Sequence, residues 1–143
     1  MITKNLKETE ELAKEFITCV QDKVLDTGAT VVAMEGDLGA GKTTFVKAVA
    51  KEFGVENTVT SPTFVIEKIY KLENQAYENL IHIDAYRLKS GEELKALGWE
   101  EVSKNPKNII FIEWPSNVEE VLPEDKQEIS FKFIDENTRE IMW

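Results

Sequence analysis

Hydrophobic and polar positions along the chain follow two different periods, and each change of period marks an element. Leu12, Phe16, Ile17, Val20 and Val24 recur at helical spacing, so residues 9–24 are predicted as a helix. Thr9 is its expected cap, and Glu10 and Glu11 suit its positive end. Cys19, within this pattern, is expected to be a small core thiol. Residues 30–35, Thr-Val-Val-Ala-Met-Glu, are β-branched and nearly all apolar, as in a parallel strand covered on both faces. A glycine-rich turn follows, then a helix over 43–53 closed by Gly54.

Ser61-Pro62 breaks the pattern before a strand over 64–70. A second strand over 79–84 is joined to it by a polar loop, as in a hairpin. Ser90-Gly91-Glu92-Glu93 reads as a capping box opening a short helix towards Leu97, with Gly98 ending it. Residues 108–113 are an apolar strand ending in Glu113, and 117–122 a short helix stopped by Pro123. The tail alternates over 128–134 and 138–143 around Asp135-Glu136-Asn137, which predicts a closing antiparallel hairpin. The expected class is α/β, a mixed β-sheet flanked by helices, in one domain spanning 1–143.

Charge changes this picture by exclusion. Asp and Glu outnumber Lys and Arg 27 to 17, a formal net charge of −10. Such a surface argues against direct binding of nucleic acid or of anionic lipid, both of which need a basic face. The single cysteine permits no internal disulfide, and the longest apolar runs are too short to span a bilayer, so a cytoplasmic protein without a membrane segment is expected.

Chemistry enters at residues 36–43, Gly-Asp-Leu-Gly-Ala-Gly-Lys-Thr, which match G-x-x-x-x-G-K-S/T between a predicted strand and a predicted helix. Glycines at 36, 39 and 41 let the backbone curl tightly. The N–H groups from Asp37 to Thr44 can then converge as an anion nest at a helix N-terminus. Asp37, Leu38, Gly39, Ala40, Gly41, Lys42, Thr43 and Thr44 are therefore the candidate nucleotide-binding residues of a P-loop NTPase-like fold. Lys42 would reach the β- and γ-phosphates and the Thr43 hydroxyl a Mg²⁺ ion. A nucleotide triphosphate is the polyanion that an acidic protein can hold in a pocket made largely of backbone.

Mg²⁺ also calls for carboxylates, and two stand at strand ends, Asp84 and Glu113. Both are assigned to the metal and water shell, and the sequence leaves open which of them touches the metal. Thr60, Ser61 and Thr63 lie where many P-loop hydrolases sense the γ-phosphate, with a plain hydroxyl turn as the competing reading. Trp114 is open to three roles: stacking on a base, packing on a partner, or core. Pro115 after it favours a loop. The only arginines are Arg87, placed to brace the loop after Asp84, and Arg139, within reach of a phosphate or base.

Four blocks in order resemble the TsaE (YjeE) family: Gly36 to Thr44, Ser61-Pro62-Thr63-Phe64, His82-Ile83-Asp84-Ala85-Tyr86-Arg87-Leu88, and Ile112-Glu113-Trp114-Pro115. The resemblance runs from about Thr9 to Arg139. It implies an ATP- and Mg²⁺-dependent ATPase that supports threonylcarbamoyladenosine modification of tRNAs reading codons beginning with A. It implies TsaD and TsaB as partners, weak hydrolysis alone, and tRNA served only indirectly. By position it implies phosphate binding by Gly39 to Thr44, and metal roles for Thr43 and Glu113. Asp84 falls at the Walker-B-like place, Ser61 and Thr63 in a switch-like loop, and Trp114 near the nucleotide or the partner face. The catalytic set is then Lys42, Asp84 and Glu113, with Arg139 as a further nucleotide contact. The alternatives are a small-molecule kinase and a nucleotide-dependent binding switch. Two arginines are few for a kinase clamp, and no Asn-Lys-x-Asp motif reads guanine, which favours adenine.

Overall fold

The computed structural model describes residues 1–21, 27–55, 67–73 and 75–143. Seven strands form one mixed sheet: β1 (Ile2–Thr3), β2 (Thr30–Glu35), β3 (Glu67–Lys71), β4 (Asn79–Asp84), β5 (Asn108–Glu113), β6 (Gln127–Phe133) and β7 (Arg139–Met142). Their order is β1-β7-β6-β2-β5-β4-β3. The middle four, β6, β2, β5 and β4, are parallel; β3 and β7 run antiparallel to their neighbours.

Alternation along the central strands explains the layering. Val32 and Met34 of β2 point to one face with Leu80, Ile109 and Phe111, where α1 (Leu6–Gln21) and α2 (Lys42–Glu52) pack through Phe16, Phe45 and Val49. Val31 and Ala33 point to the other face with Ile81, Ile83, Ile110 and Ile112. There α3 (Gly91–Ala96), α4 (Trp99–Ser103) and a 3₁₀ helix (Pro115–Val121) supply Leu94, Trp99 and Val118. The Phe16 and Phe45 rings meet edge to face at 5.6 Å. Beyond β2 the sheet is one-sided: Ile129, Phe131 and Ile141 are buried, whereas Glu128, Lys132 and Met142, on the opposite face, are exposed.

Four readings of the chain need correction. The first helix begins at Leu6, and its cap is Asn5: the Glu8 N–H donates to Asn5 Oδ1 at 2.9 Å, and the Lys4 N–H donates to Glu8 Oε2 at 2.7 Å. The first turn carries no apolar stripe, since Leu6 is exposed, so hydrophobic spacing starts one turn late. Thr9 lies inside the helix, its hydroxyl 3.2 Å from Thr3 Oγ1. Cys19 is exposed. At 100° per residue it lies about 90° from the middle of the stripe formed by Leu12, Ala13, Phe16, Ile17 and Val20. Finally, Gly98 at φ 91° both ends α3 and starts α4, which the sequence reading missed. The Glu93 carboxylate in α3 does reach back, but to the Lys89 N–H at 3.0 Å, and the Ser90 side chain makes no cap bond.

The strands over 30–35, 79–84 and 108–113 stand where expected, as does the closing hairpin, whose turn is held by the Asn137 N–H donating to Asp135 Oδ1 at 2.9 Å. Val24 and residues 56–66, including the predicted break and the start of the strand over 64–70, lie outside the described residues. Among the described residues no helix is long and apolar enough to cross a membrane.

Candidate functional site

Strand register builds the site. Met34 of β2 pairs with Glu113 of β5, and Glu113 pairs with Asp84 of β4. The chain therefore leaves β2, β5 and β4 at one edge of the sheet, the carboxyl edge where open α/β sheets bind ligands. The glycine loop follows β2 directly.

The loop needs its glycines for distinct reasons. At Gly36 a Cβ would lie 2.6 Å from the Phe131 carbonyl oxygen, so β6 admits no side chain there. Gly39 and Gly41 have φ of 80° and 103°, values that L side chains rarely adopt. The Ala40 N–H donates to Asp37 O at 3.0 Å, which closes the turn beneath the loop, and Ala40 itself is buried. The loop runs directly into α2.

Lys42, the first residue of α2, is 4% exposed. Its Nζ donates to Gly36 O at 2.5 Å and lies 4.4 Å from the centre of the Trp114 ring. Burial pulls the Lys42 ammonium below its ordinary value, while the carboxylates of Glu113, Asp84, Asp37 and Glu35 pull it back up. Asp84 shifts the other way: burial raises its carboxyl, and the nearby Glu113 charge adds to that, while the Tyr86 N–H donating to Oδ1 at 2.9 Å holds it down.

Glu113 is buried, and its Oε2 lies 2.7 Å from His82 Nε2, with His82 fully buried. Trp114 has φ 58° and ψ 50°, and is the one non-glycine residue with positive φ among those described. This left-handed turn, costing about 1–3 kcal/mol, coincides with a ring that faces Lys42 and lies 5.1 Å from the Tyr86 ring. Asn117 ties the two carrier loops together, its Nδ2 donating to Ala85 O at 3.0 Å.

Leu38, Gly39, Gly41, Lys42, Thr43, Thr44, Asp84, Glu113, Trp114 and Arg139 thus line one cleft of about 430 Å³, joined by Tyr86. Arg139 packs its side chain 3.5 Å from where a Gly41 Cβ would lie. Its Nη1 donates to Thr138 O at 3.0 Å, and its buried Nε has no partner among the described residues. Asp37 faces a neighbouring groove with Glu35 and Lys132. Arg87 does not brace the Asp84 loop: it is exposed and makes no hydrogen bond or ion pair among the described residues, and the contacts that tie this loop down come from Asn117. Ser61 and Thr63 lie outside the described residues. Among the described residues, no group of three or more His, Cys, Asp and Glu is arranged to hold a metal.

His82, Tyr86 and Asn117 were missed as site residues. For His82 a signal existed, since it shares a strand face with Asp84 two residues on and its register partner is Phe111, two residues before Glu113. No local signal marks Asn117, whose partners are over thirty residues away.

An α/β protein with a glycine loop, a buried lysine and two strand-end carboxylates is thereby defined, and comparison with known proteins narrows it. The family model of the threonylcarbamoyl adenosine biosynthesis protein TsaE matches residues 3–141. The chain is 39% identical over 134 residues to the tRNA threonylcarbamoyladenosine biosynthesis protein TsaE of Rickettsia typhi, covering 93% of this chain and 85% of that one. It is 38% identical over 139 residues to the TsaE protein of Bacillus subtilis, covering 97% and 80%. The crystal structure of YdiB from Bacillus subtilis superposes with a TM-score of 0.71 at 31% identity, covering 99% of this chain and 80% of that one. The chain belongs to the TsaE family, which is named for threonylcarbamoyladenosine biosynthesis in tRNA.

Proposed function

We propose that this chain is a P-loop ATPase that binds ATP with Mg²⁺ and supports threonylcarbamoyladenosine formation together with TsaD and TsaB, serving tRNA without gripping it, in the cytoplasm. One observation carries the reading. A loop of positive-φ glycines, a buried Lys42 and the carboxylates of Asp84 and Glu113 meet in a single cleft at the carboxyl edge of the sheet. The residues fit the ligand. Gly39 and Gly41 expose backbone N–H groups at the start of α2, and the orphaned Nε of Arg139 is a spare donor beside Gly41.

Lys42 and the loop N–H groups would hold the phosphates. Thr43, Asp84 and Glu113 would hold Mg²⁺, whose charge stabilises the phosphates when bound. In hydrolysis the water oxygen bonds to the γ-phosphorus while the bond to the β-phosphate oxygen breaks, leaving ADP and phosphate. Asp84 or Glu113 orients that water and takes its proton. Ser61 and Thr63 would report the γ-phosphate.

The test is ATPase assay of wild type, Thr43→Ala and Glu113→Ala, each with and without the TsaD–TsaB pair. The expected result is weak activity alone, stimulation by the pair, and loss of both in the variants. Rapid hydrolysis that ignores both partners would overturn the assignment, and a phosphorylated small-molecule acceptor would replace it with a kinase.

A further inference from the structure

We propose that the end of the cleft bounded by Asp84, Glu113 and Trp114 is completed by an arginine from a protein docked over its mouth. The inference rests on the nucleotide reading above and adds what that site lacks.

The deficit is one of cations. The chain has two arginines. Arg87 is exposed and does not line the cleft. Arg139 lines it, but its guanidinium is already engaged: its Nη1 donates to Asp135 O at 2.5 Å and to Thr138 O at 3.0 Å, and it stacks 4.6 Å from the centre of the Phe133 ring. Arg139, Gly41 and Thr44 also border an adjoining hollow lined by Asn5 and Thr9. The other cation lining the cleft, among the described residues, is Lys42, 4.4 Å from the centre of the Trp114 ring, and four carboxylates act on it, those of Glu113, Asp84, Asp37 and Glu35. Residues 56–66 contain no Lys or Arg, so that segment cannot make up the difference.

Charge spreads over the equatorial oxygens as a phosphoryl group transfers, and an arginine supplied in trans accelerates such reactions roughly 10³- to 10⁵-fold. A guanidinium suits this better than an ammonium, because its planar fork meets two oxygens at once. The mouth is built for a protein to cover it. Leu38 is 91% exposed and Tyr86 61% exposed, an apolar rim over a negative interior. Covering that rim excludes water and strengthens each charged contact inside. The reaction's balance is unchanged: the guanidinium donates hydrogen bonds to the transferring group and is not consumed.

The test is retention of ADP with Mg²⁺ and aluminium fluoride, a mimic of the planar phosphoryl group, read by gel filtration rather than turnover. ADP should bind the isolated chain with no gain from aluminium fluoride. With the TsaD–TsaB pair, aluminium fluoride should slow ADP release by roughly 10³. One Arg→Ala substitution in the pair should abolish that trap while the assembly still co-elutes. The proposal is overturned if the isolated chain traps as firmly, if the assembly never traps, or if trapping survives every such substitution. Failure of ADP to bind in any state would instead sink the nucleotide reading, and this inference with it.

Discussion

Replacing His82 with Leu tests how the site is held together. The side chains of His82 and Glu113 are 0% and 7% exposed, and their bond is 2.7 Å. The imidazole N–H donates to a carboxylate, and a hydrogen bond to a charged group contributes about 1.5–3 kcal/mol. Leucine keeps much of the volume and removes the donor, leaving a buried carboxylate without that partner. The expected cost is about 2–3 kcal/mol, roughly a 30- to 150-fold fall in the folding constant. Urea unfolding of the nucleotide-free chain measures it. Removing both partners leaves no orphaned group, so the double variant His82→Leu/Glu113→Leu should be more stable than His82→Leu alone. A cycle in which the two single effects simply add, to within about 0.5 kcal/mol, would refute the reasoning. If Glu113 acts on water, His82→Leu should also lower kcat while leaving the KM for ATP nearly unchanged.

Three other outcomes follow from the geometry. Burial raises the Asp84 carboxyl above its ordinary 3.8, so ionising it costs more in the folded than in the unfolded chain, and stability is lost as pH rises through the carboxylate range. Asp84→Asn should therefore melt higher than wild type at pH 7 without ligand, the gap closing below pH 3.8, while ATPase activity falls; a lower melting point at pH 7 would contradict this. Gly36→Ala should cost about 2–4 kcal/mol, because its Cβ meets the Phe131 carbonyl, against about 1–2 for Gly39→Ala in open space; equal losses in thermal unfolding would rule that contact out. With a net charge of −10, assembly with TsaD and TsaB should weaken between about 50 and 500 mM salt, measured as Kd, and no change would exclude electrostatic docking.

Legibility in the sequence tracked how local the cause was. The strand at 30–35, the loop and the strand at 108–113 are written as contiguous patterns, and each stands where its residues predict. Asp84 and Glu113 were readable as strand ends, but their adjacency depends on β4 pairing with β5, a contact between residues far apart in the chain. The Asn5 cap was hidden because Leu6 and Lys7 break the apolar stripe that signals a helix. Cys19 was misjudged for a related reason: membership of a helix does not say which way a residue faces. The left-handed turn at Trp114 has no sequence signature, since glycine is the residue expected there.

The one-sided half of the sheet predicts how evolution and engineering can treat β6 and β7. Ile129, Phe131 and Ile141 face packed helices, whereas Glu128, Lys132 and Met142 face water. Tolerance to substitution should then oscillate with every second position, permissive and forbidding side by side. A residue such as Lys132 is a place to attach a label or a tether without disturbing the interior one position away.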